Sequence, residues 1–162
     1  MSTAAAVAAA GCSGNKARTA PTSFAQVDGV YHRNVSAVAN ARHDGVAIAE
    51  NYGDFVLVIK HGHFAFTQHN AKACTWQYGT LRMRGSRMDW LFTDGGGKAP
   101  NNAENKPGEH FVWRASLFRG ALTLVPVTPT DIERETWHQT SRTPTADALT
   151  AACRPPAAAL PR

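Results

Sequence analysis

Long apolar runs are missing from this chain of 162 residues. None reaches the ~18 to 20 residues a membrane-spanning helix needs, which excludes a helical span. Cysteine is scarce, at three residues, and none stands at metal-ligand spacing beside a histidine. One-sided charge is missing from the middle of the chain. Twelve basic and eleven acidic residues lie between Asp28 and Glu135, so the formal charge of +5 comes mostly from the ends. Nucleic-acid binders gather positive charge on one face of the folded domain, so nucleic acid is not expected as a partner. Catalytic signatures are missing too. Ser116 lacks a Gly-x-Ser-x-Gly elbow. Gly95, Gly96 and Gly97 are followed by Pro100 and asparagines, not by the Lys-Ser/Thr and helix of a phosphate cradle. No catalytic residue and no cofactor is assigned on this basis.

What is present is a β pattern. Hydrophobic residues make up 43% of the chain, enough for a core. Residues 54–60 (DFVLVIK) and 63–68 (HFAFTQ) flank His61 and Gly62. Residues 75–84 (TWQYGTLRMR) and 87–93 (RMDWLFT) flank Gly85 and Ser86. Residues 109–118 (EHFVWRASLF) and 121–126 (ALTLVP) flank Arg119 and Gly120. A glycine in a two-residue connection between β-rich runs marks a hairpin. Residues 29–34 (GVYHRN) open the series and residues 136–140, around Trp137, extend it. Seven to eight evenly spaced strands predict a small, mostly all-β domain closed as an antiparallel up-and-down barrel, since closure removes both edges.

Between the first two strands, residues 35–51 are alanine-rich and interrupted at Asp44 and Gly45, which predicts one or two short helices over a barrel mouth. Residues 94–108 hold four Gly, two Pro and three Asn and are expected to be a loop. The domain is thus placed at residues 28–140, with a leader and linker at 1–27 and an Ala/Pro-rich tail at 141–162. The tail is given at most a short helix over residues 146–152. Cys74 and Cys153 are available to pair in an oxidising compartment, although nothing in the sequence fixes their separation.

Two resemblances bear on function. The alanine-rich start, followed by Gly11, Cys12, Ser13, Gly14 and Asn15, resembles the end of a bacterial lipoprotein signal. That likeness implies lipidation of Cys12, export, and attachment to the membrane through the lipid anchor alone. An opening strand with Gly29, Val30 and Tyr31, a helical segment and a meander of hairpins resembles the calycin superfamily, in the lipocalin style. It implies a barrel enclosing either side chains or one small ligand. The Tyr78-Gly79-Thr80, Phe92–Gly97 and Pro107-Gly108-Glu109 stretches are also similar to uncharacterised secreted bacterial domains, a likeness that carries no activity with it.

Candidate site residues follow from the aromatics. Trp76, Tyr78, Trp90 and Trp113 all fall in strands, either filling the core or lining a pocket. Trp113 belongs to an apolar face with Phe111, Ala115 and Leu117. Arg114 shares a mixed face with His110, Val112, Ser116 and Phe118, and is either solvated or the anion contact of a ligand barrel. The leading expectation is an extracytoplasmic, lipid-anchored barrel binding a small, partly apolar and acidic molecule through Trp76, Tyr78, Trp90, Trp113 and Arg114. An interaction module with a filled core, docking an envelope protein, is the alternative. An acid/base enzyme using Asp89, Asp94 or a histidine is a weaker one. His61, His63 and His69 read as turn residues and not as a metal site. Arg82, Arg84 and Arg87 read as a solvated hairpin tip that discourages edge pairing, or as an anion contact.

Overall fold

Eight antiparallel strands, each hydrogen-bonded to the next and the last to the first, make a closed barrel in the computed structural model. The structure describes residues 20–21, 23–100, 107–127 and 134–157. The strands are β1 (Gly29–Val35), β2 (Gly53–Lys60), β3 (His63–His69), β4 (Cys74–Arg84), β5 (Arg87–Lys98), β6 (His110–Phe118), β7 (Ala121–Pro126) and β8 (Glu135–Ser141). The up-and-down barrel expected from the hairpin pattern is therefore the fold, with a short helix α2 (Ala37–Asp44) between β1 and β2. This architecture is compatible with a calycin-like fold.

The turns show why the hairpins form where they do. His61 and Gly62 both adopt positive φ, as do Arg119 and Gly120. Positive φ at both central residues twists the connection in the sense the flanking strands require, and glycine at the second position bears it without strain. β5 runs further than expected, through Asp94 to Lys98, because β4 is long enough to pair with it to the end. The glycines expected in a loop sit inside this ladder. A Cβ at Gly96 would lie 2.6 Å from the Trp76 ring, so the run makes room for a large side chain on the neighbouring strand.

Alternation sorts the side chains into a core and a wall. Tyr31, Leu57, Ile59, Phe64, Met88, Leu122 and Leu124 point inward and are fully buried. They fill the half of the barrel nearest the β2–β3, β4–β5 and β6–β7 turns, here called the base. Helix α1 (Phe24–Val27) closes that end with Val27 in the core and Phe24 against Gly62. These residues fall in the segment expected to be linker.

On the outside, Val30, Val56, Val58 and Ala65 form a second apolar cluster, covered by Leu149. The Ala/Pro-rich tail supplies that cover. It follows the wall as two 3-10 turns (Ala146–Ala148 and Ala151–Cys153), with Thr150 N donating to Thr67 Oγ1 at 3.2 Å and Cys153 bonded to Cys74. Among the described residues no helix is long and apolar enough to cross a membrane.

Tyr31 locks the base. Its buried hydroxyl donates to Val27 O at 2.8 Å and accepts from Gln139 Nε2 at 3.3 Å. Burial, reinforced by the Asp28 carboxylate, holds the phenol well above the usual tyrosine range. In the unfolded chain it ionises near pH 10. The folded state thus keeps a proton that the unfolded state loses, so stability is full below pH ~10 and falls above it, by up to ~1.4 kcal/mol per pH unit. Tyr31→Phe is expected to remove that component of the alkaline slope while costing about 1 kcal/mol at neutral pH. Urea midpoints at pH 8, 10 and 11 for both proteins check it, and parallel slopes would refute the assignment.

Candidate functional site

The end of the barrel opposite the base is not filled. A cavity of about 210 Å3 opens there, below the ~300 Å3 at which drug-sized pockets begin. Its walls come from inward-facing positions of seven strands and from the 3-10 turn Ala49–Asn51. Phe55, Phe66, Trp90, Phe92, Phe111, Trp113 and Trp137 make it aromatic on most sides. The rings pack edge to face, as ring quadrupoles prefer. Phe92 meets Phe111 at a centroid distance of 5.5 Å and Trp90 meets Trp113 at 6.4 Å.

One wall is polar. Arg33, from β1, forms an ion pair with Glu135 at the start of β8. Glu135 accepts a second hydrogen bond from Trp137 Nε1 at 2.9 Å. The guanidinium lies 5.7 Å from the Phe55 ring centre and 5.9 Å from that of Trp137, so two aromatic faces also hold the cation. Both side chains are about a fifth exposed, Arg33 at 22% and Glu135 at 18%. The pair is fixed in place yet remains reachable.

The mouth is assembled by two amides. Gln68 Nε2 donates to Ala49 O at 3.1 Å and Tyr52 O at 2.5 Å, and Asn70 Nδ2 donates to the same two carbonyls at 2.7 and 2.8 Å. This clamp seats the turn that carries Glu50 and Asn51 to the cavity rim. Gln68 is itself buried, and Thr75 Oγ1 donates to its Oε1 at 3.3 Å. The indole N–H groups of Trp90 and Trp113 are buried and find no acceptor among the described residues. A buried unpaired donor costs roughly 1 to 3 kcal/mol, which neighbouring ring faces offset only in part.

Of the residues singled out from sequence, the structure brings Trp90 and Trp113 together in the cavity wall. It places the other three elsewhere. Trp76 and Tyr78 point outward from β4, stacked on each other at 6.0 Å, with Tyr78 packed against the cluster that the tail covers. Arg114 is exposed on the outer wall, in register with Arg87. The apolar face of β6 points inward, so its mixed face meets solvent. Asp89 and Asp94 face outward, roughly 15 Å apart along β5, each with its own partner. Arg87 Nε donates to Asp89 at 2.7 Å and Gly95 N to Asp94 at 2.9 Å. His61 and His63 sit at the base turn and His69 at the other end of the strand. Among the described residues no three His, Cys, Asp or Glu are grouped to hold a metal. Cys12 lies outside the described residues.

Compared with family models, curated proteins and solved structures, the chain matches none.

Proposed function

We propose that the barrel binds a small, partly apolar molecule bearing one carboxylate or other strong hydrogen-bond acceptor, and that Arg33, not Arg114, receives it. The observation that carries this reading is the Arg33 guanidinium at the wall of an aromatic cavity. Glu135 and two rings fix its position, and Glu135 takes only one of its N–H groups. A cation held in place before the ligand arrives costs little further ordering on binding. Its remaining donors suit a planar carboxylate. Size narrows the choice. A dry cavity of ~150 Å3 holds a benzene, so about 210 Å3 takes one ring with short substituents or a short acyl chain. A long-chain fatty acid or a haem does not fit that volume.

The reading includes export and a lipid anchor at Cys12. In its support stands the Cys74–Cys153 bridge, a bond that persists in oxidising compartments. The interaction-module reading draws on a different observation, the exposed Val38 and Val46 on and just after α2.

The test is tryptophan fluorescence of the full chain, titrated with single-ring aromatic acids, short aliphatic acids and their neutral amides. Saturable quenching by one class of acid is expected, weakened tenfold to a hundredfold in Arg33→Met and unchanged in Arg114→Ala. A flat response from a folded protein, or a response that Arg114→Ala abolishes, would overturn the assignment.

A further inference from the structure

Among the described residues the barrel's outer wall is covered on one side only. The C-terminal tail covers β1 to β4, where Leu149 seals the outer apolar cluster. No described segment covers β5 to β7. Three arginines line up there in cross-strand register, Arg84 opposite Arg87 and Arg87 opposite Arg114. Like charges directly opposite one another destabilise a sheet, so this row works against the fold that carries it. Asp89 engages Arg87 at 2.7 Å. Arg114 faces Val125, and beyond them toward the mouth stand Val127 and Leu91. These three aliphatic side chains are 39%, 42% and 40% exposed. The surface is therefore a basic row beside an apolar patch, not a uniformly solvated wall.

We infer that this β5–β7 wall docks on an anionic lipid surface. The arginines would meet headgroup phosphates, and Leu91, Val125 and Val127 would enter the headgroup boundary. Direction along the barrel agrees. The row lies near the base, and the chain enters the fold at the base, where Pro21 shares a groove with Arg119 and Arg142. The cavity opens at the other end of the barrel, away from this row. The inference is independent of what the cavity binds and of whether Cys12 is acylated.

The full chain carrying Cys12→Ser, which removes any acyl contribution, is sedimented with vesicles of phosphatidylcholine alone and of phosphatidylcholine with 30% phosphatidylglycerol. Binding to the anionic vesicles alone is expected, falling with added salt. Arg84→Ala/Arg87→Ala/Arg114→Ala should weaken it roughly a hundredfold, at about fivefold per arginine, with an unchanged circular dichroism spectrum. Leu91→Ser/Val127→Ser should weaken it less and leave the salt dependence in place. Equal binding to both vesicle types, no binding to either, undiminished binding by the triple variant, or tighter retention on single-stranded DNA than on vesicles would each overturn it.

Discussion

Cys153→Ser is expected to lower the free energy of unfolding by about 4 kcal/mol. The bridge joins residues 79 apart in sequence, and cross-linking so long a loop removes much of the conformational freedom of the unfolded chain. It also anchors the tail at the point where Leu149 covers Val30, Val56, Val58 and Ala65. Without it the tail must hold itself on the wall through that patch and the Thr150–Thr67 hydrogen bond. Cys74→Ser should cost the same, and the double variant should cost no more than either, because both remove one interaction. Reductant should reproduce the loss in the wild-type protein and leave the variants unchanged. Leu149→Ala keeps the bridge but opens the outer cluster, at about 2 to 3 kcal/mol. Urea unfolding with and without reductant separates these cases. A Cys153→Ser protein within 1 kcal/mol of wild type would show that the bridge does not hold the tail.

The barrel was legible because hairpin chemistry is local. His61-Gly62, Gly85-Ser86 and Arg119-Gly120 stand between runs whose β character is plain, and each fixes a strand boundary to within a residue or two. The end of β5 was not legible, since three consecutive glycines read as a loop. Only the neighbouring Trp76, which needs the space above Gly96, explains them as strand. Side-chain parity was legible on β5 and β6 as two faces but not as a direction: Trp90 and Trp113 fall inside with Met88, Phe92, Phe111 and Ala115, while Arg114, also offered as a ligand contact, falls outside. It failed on β4, where Trp76 and Tyr78 are the largest side chains yet face out, while Gln77 and Gly79 face in. Size misleads there because the tail gives the outer wall an apolar lining of its own, and the alternation of β4 alone does not reveal that a distant segment covers it.

The polar centre of the cavity was the least legible feature. Arg33 and Glu135 lie 102 residues apart and meet only because β8 closes the barrel against β1. The usable signal was parity. Arg33 alternates with Tyr31 and Val35 on a strand where His32 and Asn34 are exposed, and Glu135 alternates with Trp137. A charged residue at an inward position of a closed barrel needs a partner at another inward position, which Glu135 supplies. Gln68 is a similar case. It reads as the polar end of an apolar strand, but it is buried because the turn carrying Glu50 folds back over it.

The same pair gives the second large effect. Arg33→Met leaves the Glu135 carboxylate at an aromatic wall with the Trp137 indole as its remaining donor among the described residues. A fully buried charge deprived of its partner costs ~3 to 5 kcal/mol. With each side chain about a fifth exposed, water shares the burden and the expected loss is about 2 kcal/mol. Glu135→Leu leaves an arginine that two ring faces still hold, so its loss should be smaller, about 1 kcal/mol. The double variant Arg33→Met/Glu135→Leu removes both charges in favour of apolar side chains of similar length, and should return to within about 1 kcal/mol of wild type. The cycle of four proteins, measured by urea unfolding, yields the coupling directly. A coupling near zero would mean that water solvates each charge separately, in which case Arg33 is not held ready for a ligand. A coupling of 1 kcal/mol or more, with a stable double variant that no longer responds to acids in the fluorescence titration, would separate the pair's part in stability from its part in recognition. Glu135→Leu supplies the opposite control. It releases the N–H group that Glu135 occupies, so its affinity for a carboxylate should rise where that of Arg33→Met falls.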